Sequence, residues 1–351
     1  MIRRLVPLAV VPALLVPILF AGAALAATDG AANPPLPASA GWETSALYLL
    51  QQCINAIVVG TFYGLLAVAY VLIYGITNRI NLSFGAFAMW AGCSFVLGAL
   101  VVSLMLPYGL AVTLLAALAY ALANTVLLGV VLQRGVVRRL VRVDSLAMLV
   151  ATIGLAIVLE EIMRIANSGR ERWLSPVLSE PILLVRSSLF AIQVTAMQLL
   201  VVGGATLLAL ALIVFMARHR FGRLWRACSQ DLRMAELCGI DTDRVLLGAF
   251  ALSSAYAAGS GVLIGLYYGN VNFYMGTVLG LKTLLAAVIG GLTSVTGAFA
   301  GALLLGFLES LWSAYFSAEY RDVAVFGIMA CLMILKPDGL LAPSRRNLLQ
   351  P

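Results

Sequence analysis

Nine apolar stretches joined by short polar connections, at about 47–76, 85–103, 110–132, 145–165, 197–215, 246–266, 277–291, 297–315 and 322–335, leave this chain few folds to choose from. Runs of that length with so little charge read as membrane helices. The seventh and ninth are short for a full crossing, so either is re-entrant or tilted and the spans number eight or nine. A soluble fold fails on composition: 62% of the residues are hydrophobic and 11% charged, too few charges to coat a globular surface. The expected fold is all-α, a polytopic helical membrane protein with about 8–9 transmembrane or re-entrant helices after an N-terminal signal-like segment.

In that segment Arg3 and Arg4 precede an apolar run at 5–21, and Ala24-Leu25-Ala26 offers a small-x-small cleavage pattern. Pro7, Pro12 and Pro17 disfavour a stable helix there. Residues 1–26 are read as a cleaved signal peptide or a retained extra span, 27–46 as an external linker, 47–342 as the transmembrane domain and 343–351 as a cytoplasmic tail.

The net charge of +7 sits in short loops beside the spans, where basic residues orient helices, so nucleic acid is not the expected partner. Arg134, Arg138, Arg139 and Arg142 mark one cytoplasmic loop; Arg218, Arg220, Arg223, Arg226 and Arg233 mark another. Lys336, Arg345 and Arg346 put the C-terminus inside. The loop 166–196, with Arg170, Glu171, Arg172, Glu180 and Arg186, then falls outside, as a plain connector or a receiver for a soluble partner. Lys282 and Lys336 are the only lysines, and neither follows a Gly-rich phosphate loop. If transport is ATP-driven, the ATPase is another chain.

Residues 226–245 form a polar island inside this greasy chain. Ser229 is expected to cap a short helix with Asp231 in its first turn, and Gly239 to end it in a left-handed turn. Leu232, Met234, Ala235, Leu237 and Cys238 would share one broad apolar side, with Arg233 and Glu236 facing elsewhere. Asp241 or Thr242 would cap the next helix. Such a helix either docks on a partner or lies on the lipid interface.

Glycines four apart, Gly60 with Gly64, Gly261 with Gly265, Gly276 with Gly280 and Gly297 with Gly301, let helices approach closely in lipid. The tetrapeptide Gly-Ala-Phe-Ala opens two segments, at 85–88 and 297–300, a hint of an internal repeat. Lys282 and Glu309 fall at the same depth in adjacent segments and are expected to pair, as a stitch between helices or as part of a substrate path. Glu161 and Arg164 are spaced to pair on one face, and with Glu160 they are read as interfacial. The single histidine, His219, stands in a basic loop, and the five cysteines lack CxxC spacing. No catalytic, metal or cofactor site is therefore expected, and the chain is not read as an enzyme.

The run ACSQDLRMAELCGIDTDRV at 227–245 resembles the cytoplasmic loop of the LivH-type permeases of bacterial branched-chain amino acid ABC importers. The resemblance continues through Leu281-Lys282, Ala286 to Ser294, Gly297-Ala298, Leu308-Glu309-Ser310-Leu311 and Pro337-Asp338-Gly339, and upstream through Gln51, Gln52, Asn55, Gly60, Tyr63 and Ile73 to Ile76. It implies a permease subunit of the inner membrane, embedded in lipid and paired with a LivM-like second permease. It also implies two cytoplasmic ATPase subunits, a periplasmic substrate-binding protein, and a cargo of branched-chain or related amino acids. The loop 216–245 would be the coupling loop, with Asp231, Leu232, Arg233, Ala235, Glu236, Leu237, Gly239, Ile240, Asp243 and Arg244 engaging an ATPase. Arg233, Glu236 and Arg244 would fix the register of that contact.

The chain departs from the family's usual Ala-His-Gly-Glu turn, reading Asn81-Leu82-Ser83-Phe84-Gly85-Ala86. Asn81, Ser83, Gly85, Gly290, Gly291 and Thr293 are the pore or turn candidates. The departure leaves urea or short amides open as cargo. A stand-alone secondary transporter or channel, and a scaffold protein, are the readings from other classes.

Overall fold

The computed structural model describes residues 42–105, 109–141, 145–170, 173–174, 180–186, 191–292 and 294–335. The signal-like segment, most of the linker, the tail with Lys336, Arg345 and Arg346, the loop residues Arg142, Glu171 and Arg172, and Thr293 lie outside them.

Each of the nine apolar stretches is helical. In chain order the helices are α1 (Trp42–Thr77), α2 (Phe84–Met105), α3 (Leu110–Leu132) and α4 (Ser145–Ala166), then α5 (Ala196–Arg218), α6 (Arg220–Gln230) and α7 (Leu232–Leu237). The last four are α8 (Thr242–Tyr268), α9 (Met275–Gly290), α10 (Val295–Tyr315) and α11 (Arg321–Leu335). Seven, α1 to α5, α8 and α10, are long and apolar enough to cross a membrane. At 1.5 Å per residue, α9 and α11 reach only about 24 and 22 Å, short of a hydrocarbon core about 30 Å thick.

The loop between α4 and α5 adds what the hydropathy did not predict, an antiparallel ribbon of β1 (Pro181–Arg186) and β2 (Ala191–Thr195). In β2, Ile192 and Val194 are buried while Gln193 between them is exposed, the alternation of a half-buried strand. Gln51 of α1 acts as a third strand: its amide donates to Gln193 O and accepts from Gln193 N, at 3.0 and 3.1 Å. Thr195 then starts α5 with a capping box to Gln198.

Helix α1 is the axis of the bundle, with every residue from Gly60 to Leu72 buried. At 36 residues it is about 54 Å long, so it projects beyond the apolar layer. Small residues seat its neighbours: Gly60 lies on Leu303 of α10, and Gly64 under the Phe299 ring. Helices α2 and α9 also approach closely, a methyl added to Gly85 standing 2.1 Å from Gly276 O. Both Gly-Ala-Phe-Ala sequences pack their glycine on α9, Gly85 on Gly276 and Gly280, Gly297 on Gly290.

Helix α2 begins deep inside the bundle. Ser260 Oγ donates to Phe62 O, and the next residue of α8, Gly261, abuts Ala88, so Phe62 and Ala88 share a level. Thr77 ends α1 about 22 Å below that level, whereas Phe84 starts α2 only about 6 Å below it. Residues 78–83 therefore climb back roughly 16 Å as non-helical chain, starting from Asn78 at φ 51. Backbone of that kind survives at depth only where protein encloses it. Asn81, Ser83 and Phe84 are indeed buried.

Candidate functional site

The basic end of the bundle carries the candidate docking surface. Arg79, Arg138, Arg139, Arg218, Arg220, Arg223, Arg226, Arg233 and Arg244 cluster where α1, α3 and α5 end and α8 starts. The ends are tied by Arg79 Nη1 donating to Leu140 O and by an Arg138–Asp243 ion pair.

Helix α6 occupies most of what the sequence suggested was loop. Its alternation of Arg220, Arg223 and Arg226 with Gly222, Trp225 and Cys228 puts charge outward and buries the other three. Trp225 Nε1 donates to Leu72 O at 2.9 Å and its ring covers Gly75, fixing α6 to α1. His219 caps α6, its Nδ1 accepting from Phe221 N, and stacks on Phe215 with centroids 4.7 Å apart. Burial first, and the charge of Glu236 second, push the Cys228 thiol above its ordinary pKa.

Because α6 runs through Gln230, Ser229 does not cap the next helix as expected. It lies within α6 and donates to Arg226 O, and Asp231 is the cap instead, its Oδ1 accepting from Arg233 N and Met234 N at 2.8 and 3.1 Å. At the other end Gly239, at φ +82, lets Ile240 N donate to Ala235 O and Gly239 N to Glu236 O, a complete Schellman closure. Asp241 then caps α8 through Arg244 N.

The broad greasy side expected for α7 is split in two. Ala235 is buried, with Leu232 and Ile240 packed beside it on the core, while Met234 and Leu237 are 58% and 82% exposed and Cys238 is exposed too. Of the charges expected to meet a partner, several also bond within the chain, though Arg244 does so with an 87% exposed side chain. Glu236 accepts from Thr242 Oγ1 at 2.6 Å, Arg244 pairs with Asp241 at 2.8 Å, and Asp243 takes Arg138. Arg233 stays exposed.

At the opposite end lies a buried charge cluster. Lys282 Nζ stands 3.1 Å from Glu309 Oε1, the partner expected for it, and 2.7 Å from Asp322 Oδ1, which was not foreseen. Arg321 Nε reaches Glu309 Oε1 at 3.2 Å and Asp322 Oδ1 at 3.4 Å, and Tyr63 Oη donates to Glu309 Oε2 at 2.6 Å. Two cations and two anions thus neutralise one another, which is what makes burying Lys282 and Glu309 tolerable in lipid. A cavity of about 370 Å³ opens beside them, walled by Tyr274, Met275, Val278 and Leu279.

Glu160, read as interfacial, is buried. Its Oε1 accepts from Thr277 N and Oγ1, at 2.8 and 2.7 Å, capping α9 from α4 with the negative charge that a helix N-terminus favours. Glu161 and Arg164 pair at 2.7 Å on the exposed face.

The pore or turn candidates fall in two separate groups. Asn81 and Ser83 belong to the climbing segment and Gly85 to the first turn of α2; in the segment Ser83 N and Oγ donate to Asn81 Oδ1 and Leu82 N donates to Thr152 Oγ1. Among the described residues Asn81 Nδ2 has no acceptor. Gly290 and Gly291 end α9, Gly291 at φ 105; both are buried, Gly290 against Gly297. Gly280, next to Gly85, and Gly290 are about 15 Å apart along α9, so the groups do not form one site.

A bundle of apolar helices with a capped helix held out at its basic end and a neutral charge cluster toward the other defines a polytopic helical membrane protein. Residues 52–334 match the family model for the permease component of the branched-chain amino acid transport system, and the chain belongs to that family. It is 35% identical over 299 residues to the high-affinity branched-chain amino acid transport permease LivH of Escherichia coli K12, covering 84% of this chain and 96% of the relative. It is 31% identical over 294 residues to BraD of Pseudomonas aeruginosa, with the same coverage. Against LivM of Escherichia coli K12 it is 31% identical over 142 residues, 40% of this chain and 33% of the relative. No solved structure matches the chain.

Proposed function

We propose that this chain is the permease subunit of an inner-membrane ABC importer for branched-chain or related amino acids, working with a LivM-like second permease, two cytoplasmic ATPases and a periplasmic binding protein. The observation that carries the reading is α7: a helix fixed at both termini that turns Leu237 and Met234 outward at the basic end of a permease-family bundle. Apolar side chains held out on a rigid mount suit insertion into a groove on an ATPase.

The internal bonds of the loop give the stroke a path. Motion of α7 passes to α8 through the Gly239 closure and the Glu236–Thr242 bond, and to α1 through Trp225 on Leu72. ATPase closure acting on Leu237 would thereby bias the bundle between inward-open and outward-open packings. Positive-inside orientation puts the tail and the 216–245 coupling loop in the cytoplasm, and the β1–β2 ribbon outside to meet the binding protein. The amino-acid reading is preferred to urea or short amides because a zwitterion carries a full charge for each sign present in the cluster, whereas urea offers only neutral hydrogen-bonding groups.

The test is ATP-dependent leucine uptake into liposomes holding the full complex, with binding protein supplied. Ala235→Asp puts a charge into the buried side of α7, and Gly239→Pro forbids φ +82 and removes the N–H given to Glu236. Both variants are expected to insert normally and to lose uptake. Normal uptake by either, or uptake by the purified chain alone, overturns the reading.

A further inference from the structure

The cavity beside the charge cluster has unspent polar capacity pointing to a ligand. Lys282 and Glu309 are sealed, with 4% and 7% of their side chains exposed, but Arg321 and Asp322 are 41% and 43% exposed where they line the cavity. Among the described residues every ion-pair contact of Arg321 runs through Nε, and every one of Asp322 through Oδ1. The two terminal guanidinium nitrogens and Asp322 Oδ2 are left over. A free fork of donors and a free carboxylate oxygen on adjacent residues match the two ends of an amino-acid main chain: carboxylate on the fork, ammonium on the acid.

The rest of the wall is suited to an aliphatic side chain. Val278 is 42% exposed, and Leu279 and Met275 are partly so, along the same cavity. About 370 Å³ lies within the range of about 300–1,000 Å³ typical of small-molecule sites. A network serving only to stitch helices would spend its donors on one another and leave no room beside them.

We propose that this cavity receives a zwitterionic α-amino acid with an apolar side chain, its carboxylate on the Arg321 terminal nitrogens, its ammonium on Asp322 Oδ2 and its side chain against Val278 and Leu279. This rests on the amino-acid importer reading and adds the place where the cargo enters the bundle. Lys282 and Glu309 act as positioning residues, holding Arg321 and Asp322 from behind.

The test uses the full complex in liposomes, with the five native cysteines replaced by alanine and Val278→Cys introduced. An impermeant maleimide is expected to label that thiol from outside. Leucine should slow labelling saturably, about tenfold at ten times its dissociation constant. Leucinamide, which lacks the carboxylate, and 4-methylpentanoate, which lacks the ammonium, should not slow it, and Arg321→Gln should abolish the leucine effect. Labelling indifferent to leucine, or slowed equally by both analogues, overturns the proposal. The comparison of leucine with its analogues needs no change in the cluster, so a folding defect in Arg321→Gln leaves the decision standing. Leucine uptake by the unsubstituted complex, measured alongside, tests the importer reading separately: uptake without protection sinks the site alone.

Discussion

Lys282 lies between two carboxylates whose removal should cost different amounts. Glu309 is sealed and holds Lys282, Arg321 and the Tyr63 hydroxyl together, whereas Asp322 is partly open to the cavity. Breaking a buried pair from one side costs about 3–5 kcal/mol, and a half-exposed one far less. Glu309→Ala is therefore expected to lower the melting temperature of the detergent-solubilised complex clearly more than Asp322→Ala does. Equal losses would contradict the difference in burial. Thiol labelling offers a second residue-scale test. Cys238 is exposed, while Cys228 sits on the buried face of α6 with its thiol pKa raised, so less of it is the reactive thiolate at neutral pH. Cys228 is expected to react at least about tenfold more slowly than Cys238 with a maleimide, the gap narrowing as pH rises. The Lys282–Glu309 contact was legible in the sequence because a lone intramembrane charge demands a partner. Arg321 and Asp322 were not, since charges at the mouth of a segment look like ordinary interfacial residues.

At the scale of elements, hydropathy located the membrane helices closely; α3 starts at Leu110 as expected, but helical turns carry on past Leu132 to Leu140. What it missed are elements in which polarity and burial are mixed. Helix α6 was hidden because arginines at helical spacing mimic a basic loop unless Trp225 and Cys228 are counted on the opposite face. The β1–β2 ribbon was hidden because its inward residues cover Gln51 and the top of α1 rather than a sheet. The mid-bundle start of α2 has no sequence signal except Gly85, whose missing side chain lets α2 and α9 touch backbone to backbone. Gly85→Val should push α2 off α9 and expose the buried Asn81–Ser83 segment, sharply reducing the yield of folded complex on size exclusion. Gly154→Ala, where an added methyl meets nothing within 4 Å, should leave the yield unchanged. If the two behaved alike, the close approach would have no energetic weight.

For the whole molecule, α1 is the feature that relates its two ends. It holds the ribbon through Gln51 toward one end and the α6 anchor through Leu72 and Gly75 toward the other, with α8 and α10 packed along its middle. A single rod touching both surfaces means that events at the ribbon and at α7 act on one body. The neutrality of the cluster on which α1 places Tyr63 has an electrical consequence. A lone charge displaced across the membrane exchanges about 2.3 kcal/mol with the field per 100 mV. Two cations and two anions moving together exchange almost nothing, and neither does a zwitterion travelling with them. Leucine uptake is accordingly expected to proceed at the same rate in vesicles held at zero and at about −100 mV; a rate that follows the voltage would mean that the four charges part company during the cycle.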